Sequence, residues 1–332
     1  FTVYFDGQEK DLFRTYFGTL NITRHLNENT ALSFLTSAFY TKEQETYDIQ
    51  GEYWLNQTET SDNLGVGTYM EHARNSLTSN VTSFKLMLNH RMKAHHIQAA
   101  TTYKLEHINE KSKEYEMRDS SGYSLPHSSD ALNLIYTMSS NNTLDSKRFE
   151  SYIQDTYKFK NGETFYTLNY GVRFSHWDFN KENLFSPRIS LGIIPAFNQN
   201  FTFRFATGLY YQTPFYKELR DTTTINGTTY ASLNKNIKSQ RSIHFLAAMD
   251  YKFKVNSRPY KFTAEAYYKA LSDIIPYNVS NVKIVYYGKN LSDGYAAGLD
   301  MKLYGEFVPG TDSWISLSLM RTQEKLNGQW IP

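Results

Sequence analysis

The sequence predicts an all-β chain, an antiparallel, up-and-down sheet that forms part of a transmembrane β-barrel. Three observations carry this. About twelve segments alternate apolar and polar side chains, which in a strand puts the two classes on opposite faces. The connections between segments alternate as well, short then long. The chain is also rich in large rings, with Tyr 27 and Phe 22, yet its mean hydropathy is −0.57. It has no apolar run of the ~18 residues that a membrane helix needs. A barrel wall satisfies both facts, because every second residue can be polar.

Taken in order, the first strand is predicted over 12–26 and the second over 31–48, joined by Asn27-Glu28-Asn29-Thr30. The third (79–92) carries Phe84, Leu86 and Leu88 on its even face. After Met92-Lys93-Ala94 the fourth (95–112) carries Ile97, Ala99, Tyr103 and Leu105 on its odd face. The fifth (147–160) turns at Lys160-Asn161-Gly162 into the sixth (163–178), which aligns Tyr166, Leu168, Tyr170, Val172 and Phe174. The seventh (185–194) is followed by a turn from Pro195 to Gln199. The eighth (200–213) has Phe201, Phe203, Phe205, Leu209 and Tyr211 on one face, opposite Thr202, Arg204, Ala206, Gly208, Tyr210 and Gln212. The ninth (238–255) aligns Ile243, Phe245, Ala247, Met249, Tyr251 and Phe253. Past Asn256-Ser257-Arg258, the tenth (259–276) sets Phe262, Ala264, Ala266 and Tyr268 against Lys261, Glu265 and Lys269. The eleventh (282–307), bent or broken near 288–294, sets Leu299, Met301 and Leu303 against Asp300, Lys302 and Glu306. The twelfth (312–324) follows Pro309-Gly310-Thr311 and aligns Ile315, Leu317 and Leu319. The Asn, Gly and Pro at these turns are what tight connections require.

A soluble β-sandwich also alternates, with the apolar face as its core. The connections separate the two. Segments 49–78, 113–146 and 214–237 are long and polar, and they fall at the end of the sheet opposite the tight turns. Outer-membrane barrels sort their loops in this way, and a sandwich has no reason to. Aromatics near strand ends, among them Tyr40, Tyr47, Tyr103, Tyr157, Phe159, Tyr210, Tyr211, Tyr251, Phe253, Phe307 and Trp314, read as interfacial girdles or as plain strand propensity.

Cysteine is absent, so disulfides and thiolate metal sites are excluded. A net charge of +2 without a large basic block argues against a nucleic-acid partner. His95 and His96 are adjacent in the strand pattern and would point to opposite faces, so they would not converge on a metal. No phosphate loop, HExxH or GxSxG occurs, and no catalytic residue, metal or cofactor is assigned. The Asn-x-Ser/Thr triplets, such as Asn226-Gly227-Thr228, are read as chance in a chain rich in Asn and Thr. On the wet face, Arg204, Lys261, Glu265, Lys269, Asp300, Lys302 and Glu306 are predicted to face the lumen. Tyr53, Trp54, Tyr69, Tyr123 and Trp177 fall in or beside the long connections. They are candidates to stack on a ligand, and equally candidates for interfacial anchors. With no initiator Met or leader, a start in mid-pattern at Phe1 and a stop at Pro332 just after a strand, an internal fragment is expected, with 1–332 a single partial barrel domain.

Three stretches resemble the barrel of TonB-dependent outer-membrane receptors. Ser186-Pro187-Arg188 before Ile189-Ser190-Leu191 resembles the family's Ser-Pro-Arg strand start. Gly208 to Pro214 followed by Glu218-Leu219 resembles its glycine, aromatic, proline and Glu-Leu signature. Asn290 with Gly294-Tyr295-Ala296-Ala297-Gly298-Leu299-Asp300 resembles a later one. Gln212 departs from the pattern, where many members carry Arg. The resemblance implies about twelve of the strands of a 22-stranded barrel, closed in the full receptor by a plug. It implies active uptake of a siderophore, glycan or similar ligand across the outer membrane of a Gram-negative bacterium. The partners implied are membrane lipid, the TonB complex acting through the plug, a small-molecule or oligosaccharide ligand and a surface lipoprotein. The alternative function is a β-rich surface adhesin or glycan-binding protein without transport.

Overall fold

The computed structural model describes residues 2–56, 63–119, 132–280 and 283–331. In chain order the strands are β1 (Thr2–Asn27), β2 (Thr30–Asn56), β3 (Asn63–Met92), β4 (His95–Asp119), β5 (Asn133–Asn161), β6 (Thr164–Trp177), β7 (Glu182–Ile194), β8 (Phe201–Gln212), β9 (Arg220–Ile225), β10 (Thr228–Leu233), β11 (Gln240–Val255), β12 (Arg258–Ile274), β13 (Tyr277–Ser280), β14 (Lys283–Tyr286), β15 (Ser292–Val308), β16 (Thr311–Leu326) and β17 (Gln329–Ile331). Twelve of these, β1 to β8, β11, β12, β15 and β16, are long wall strands, each paired antiparallel with its neighbour in sequence. They match the twelve predicted segments. The break expected in the eleventh separates β14 from β15.

Register fixes the two faces. Across the sheet, Leu168, Leu191, Phe205, Ala247, Ala266, Leu299 and Leu319 form one continuous cross-strand row. Phe203, Met249, Ala264, Met301 and Leu317 form the next. This apolar face stays open: Phe205 is 48% exposed and Phe245 53%. The only other described sheet is the small β13–β14 hairpin, so no second layer covers these rows and the sandwich alternative fails. Toward the tight-turn end, rings on this face touch in series. Phe201 stacks on Tyr251 at 4.4 Å, Tyr251 on Phe253 at 5.3 Å and Phe253 on Tyr260 at 5.5 Å, with Phe307 next. Tyr157, Phe159 and Tyr166 continue the belt at 4.9 and 4.8 Å. Farther up the strands lie Phe149, Phe174 and Phe185, and the Tyr268–Tyr295 pair. Two such belts flanking an apolar band are the arrangement that suits amphipathic rings at a membrane interface.

Three expectations need correction. First, 49–78 and 113–146 are largely strand, because β2 to β5 run well past the apolar band as hydrogen-bonded extensions. Out there both faces are wet, so alternation gives no signal. Second, the connection between β6 and β7 is a short turn at residues 178–181, so short and long do not alternate strictly. Third, one pairing is parallel. β10 lies beside β5 with Thr229↔Met138, Tyr230↔Ser139 and Ala231↔Ser140. β6 reaches only as far as Arg148↔Trp177, which leaves the upper edge of β5 bare. The β9–β10 hairpin crosses over the short β6–β7 turn and covers that edge, as an unpaired edge requires.

Candidate functional site

The polar face is the candidate site, and it has two parts. The first is a charge hub in mid-wall. Asp250 of β11 is 6% exposed and pairs across the sheet with Thr202 and Thr263. Its carboxylate accepts from both terminal nitrogens of Arg204, from Thr263 Oγ1 at 2.9 Å and from Lys261 Nζ at 3.2 Å. Sequence reasoning picked out Arg204 and Lys261 but missed Asp250. A lone Asp on a wet face carries no local signal, and only the register brings both cations to it. Glu265 and Asp300 stand directly opposite each other on β12 and β15. Lys269 lies with its Nζ 5.3 Å from the Tyr267 ring centre, and Lys302 with its Nζ 5.5 Å from that of Trp314. By register these residues share the polar face. Glu306, near the end of β15, falls outside its regular pairing. It sits in the bulge where the pairing of β15 and β16 shifts, and its carboxylate accepts from the backbone N–H of Gly310 in the turn.

The second part is a small core where the long connections meet the polar face. Leu144, Trp177, Leu219, Ile237 and Ile275 pack together. Trp177 is 1% exposed and Leu219 is fully buried. The signature residues build this core. Glu218, in a one-turn 3₁₀ helix (Tyr216–Leu219), accepts from Phe215 N at 3.0 Å and from Gln240 Nε2 at 3.2 Å. Burial pushes its carboxyl above the usual carboxylate value. Asn290 holds the neighbouring connection: Oδ1 accepts from Lys238 N at 2.7 Å, while Nδ2 donates to the carbonyls of Lys238 and Asp273. Glu182 accepts from the backbone N–H and the hydroxyl of Ser239, the latter at 2.6 Å. Beside the core, Glu110 accepts from Tyr216 Oη at 3.0 Å and pairs with Arg220 at 3.1 Å. Burial, then the Glu110 charge, push the Tyr216 hydroxyl well above the ordinary phenol value. Gly288 has φ +65, and a Cβ there would meet the Arg220 carbonyl oxygen at 2.1 Å, so only glycine fits.

The predicted ligand aromatics separate. Tyr53 (β2) and Tyr69 (β3) lie on the polar face, 5.7 Å apart between ring centres, with Phe5 6.1 Å from Tyr69. They belong to hydrogen-bonded strands, not to loops. Trp54 falls on the other face and donates Nε1–H to Glu52 at 3.3 Å. Trp177 is closed off inside the core, with the Arg148 guanidinium 3.9 Å from its ring centre, so its surface is not open to a ligand. Tyr123 lies outside the described residues.

An exposed, belted apolar face backed by a charged polar face defines the wall of an outer-membrane β-barrel. The chain belongs to the TonB-dependent receptor β-barrel family: the model "TonB dependent receptor-like, beta-barrel" matches residues 2–332. Among solved structures it is similar to the RagAB peptide importer in its "closed-closed" state, with a TM-score of 0.52 at 10% identity, covering 95% of this chain and 37% of that one. The RagAB peptide transporter gives 0.50 at 9% identity, with the same coverage. A ferric enterobactin receptor (PfeA) mutant from Pseudomonas aeruginosa gives 0.44 at 11%, covering 97% of this chain and 66% of that one. At such identities the likeness is one of fold, and the chain spans between 37% and 66% of the length of these structures. No curated protein matches it. Members of the family are outer-membrane β-barrels of Gram-negative bacteria.

Proposed function

We propose that the chain is part of the wall of an outer-membrane receptor that imports a nutrient ligand by TonB-dependent active transport. The observation that carries this is the family match along residues 2–332, on a sheet whose apolar face stays exposed while its polar face holds the charges. On this reading the apolar rows meet lipid. Arg204, Lys261, Glu265, Lys269, Asp300 and Lys302 line the lumen and contact the plug or its hydration layer. The Asp250 hub gives that wall a braced patch, two cations held on one carboxylate, on which a plug can slide or dock. Tyr53 and Tyr69, at the far end of the polar face, present flat rings to an arriving small molecule, siderophore or oligosaccharide. The energy-transducing complex acts through a plug, and a surface lipoprotein joins the loops from outside.

The test uses the full-length gene in its own bacterium. Deletion is expected to abolish growth on one member of a panel of ferric siderophores or glycans supplied as sole iron or carbon source. Loss of TonB should give the same defect. Affinity purification of the tagged receptor is expected to recover one surface lipoprotein. A deletion strain that grows normally on the whole panel but no longer adheres to glycan surfaces would replace this function with the adhesin.

A further inference from the structure

A second basic constellation lies on the polar face, apart from the Asp250 hub. Arg188, Gly208, His244 and Lys269 occupy one hydrogen-bonded row across β7, β8, β11 and β12. At ~4.8 Å between strands, the row spans roughly 14 Å. Tyr210, two residues along β8, folds its ring back over Gly208. A Cβ on Gly208 would meet Arg188 Cγ at 3.0 Å and Tyr210 Cε2 at 3.1 Å, so a glycine is what admits the ring. The Arg188 guanidinium carbon is 4.1 Å from the Tyr210 ring centre. The His244 ring stacks on the same tyrosine at 4.2 Å, with the planes 23° apart. Lys269 stands opposite His244 and leans on Tyr267, its Nζ 5.3 Å from that ring centre.

This packing fixes Arg188 and Lys269 without neutralising them. Among the described residues, none of Arg188, His244 and Lys269 is in ion-pair contact with a carboxylate, whereas Arg204, Lys261, Arg148 and Arg220 all are. Along β12 the acids on either side of Lys269, Glu265 and Asp273, are each four residues away, which for Glu265 is about 13 Å along the strand. Glu265 is paired across the sheet with a second acid, Asp300. Arg188 and Lys269, fixed cations at the two ends of the row, repel across the His244 imidazole between them, and each ring face offsets this only in part. An anion placed over the row would relieve the repulsion. Arg188 would offer it two parallel N–H donors, and Lys269 a compact ammonium.

We propose that Arg188, His244 and Lys269, braced by Tyr210, bind an anionic group of the transported solute, a small molecule bearing clustered carboxylates or phosphates. The proposal rests on the receptor function above and narrows its ligand class. The same chemistry could instead come from carboxylates of the receptor's own plug, and the experiment separates the two sources.

The experiment is calorimetric titration of the purified full-length receptor in detergent with citrate and with tripolyphosphate. Saturable binding that weakens as salt rises is expected for one of the two. Arg188→Gln/Lys269→Gln should lose about tenfold or more in affinity, as expected when charge-assisted bonds are removed. Lys254→Gln, on the same face near the tight-turn end, should leave affinity unchanged. Retention of fold is read from heat-modifiable migration. If the double variant does not fold, Lys269→Gln alone carries the comparison, with a loss of about threefold or more expected. Absence of saturable binding to the full-length receptor would mean that the plug already occupies the row, and this overturns the solute site. Equal affinity in wild type and variant overturns it too. Binding here needs no energy coupling, so a receptor that binds but does not import sinks the transport function and leaves the site standing. One that imports without binding either probe does the reverse.

Discussion

Asp250 accepts from Arg204, Lys261 and Thr263, whereas each of those cations has Asp250 as its ion-pair partner. Removing the hub therefore leaves two cations unpaired, while removing one cation leaves the carboxylate still bonded. Both cation side chains are over 40% exposed, so water takes up part of the loss. Asp250→Ala is expected to destabilise the folded receptor by about 1–2 kcal/mol, and Arg204→Ala by less than half of that. Urea-unfolding midpoints in lipid vesicles check the order. A second residue-scale prediction concerns Gly298, over which Tyr267 of the neighbouring strand lies. A Cβ there would meet Tyr267 Oη at 2.5 Å and the Leu319 carbonyl oxygen at 2.9 Å. Gly298→Val is expected to cost about 1–3 kcal/mol by the same measurement. A wet-face Arg or Lys was legible from alternation alone. Neither the partner of that cation nor the ring over Gly298 was, because both depend on which residues the register sets side by side.

At the scale of an element, the connection between β8 and β11 is held down by Glu218 and Leu219, by Asn290 from the next connection, and by the pairing of β10 with β5. Its anchoring residues were visible as motifs, but what they anchor was not. Trp177 reads in sequence like an exposed strand-end ring and proves to be the floor of the core. Asn226-Gly227 reads as a chance glycosylation triplet and proves to be the turn of the β9–β10 hairpin, both residues having positive φ. Asn290→Ala removes three hydrogen bonds at once and is expected to make residues 213–239 cleavable by added protease on intact cells, with the barrel itself still resistant. The docking should also depend on pH. Burial raises the Glu218 pKa above its ordinary value of 4.5, so the docked loop holds the proton more tightly than the free loop does. Docking is then strongest below 4.5 and weakens as pH rises through the raised value, where Glu218 ionises under cover. Glu218→Gln should flatten that dependence in a protease-sensitivity titration.

At the scale of the whole molecule, all twelve wall strands were legible, and so were the tight turns apart from that between β6 and β7, because in the apolar band each strand must show lipid one face and water the other. The extensions of β2 to β5 beyond the band were not, since water on both sides removes the contrast. Among the described residues the sheet is open: β1 pairs with β2 alone, and no pairing joins β1 to β16 or β17. A polypeptide of residues 1–332 therefore carries a bare edge along β1, and light scattering should show it aggregating in buffer without detergent. The two faces make a sharper prediction. Phe205 lies in the row through the middle of the apolar band, Phe253 in the lower aromatic belt, and Ser318 on the polar face one residue from Leu319 of the Phe205 row. If the apolar face meets hydrocarbon, an arginine costs most where lipid is deepest and least where water reaches it. Phe205→Arg should then destabilise the full-length receptor in vesicles by about 2–4 kcal/mol, and Phe253→Arg by about 0–1, since a belt position lets the guanidinium reach the interface. Ser318→Arg, directed into the lumen opposite Asp300, should cost little or stabilise slightly. A soluble protein with a covered apolar face would show no such gradient from Phe205 to Phe253. Equal costs at those two positions would remove the bilayer from the account of this wall.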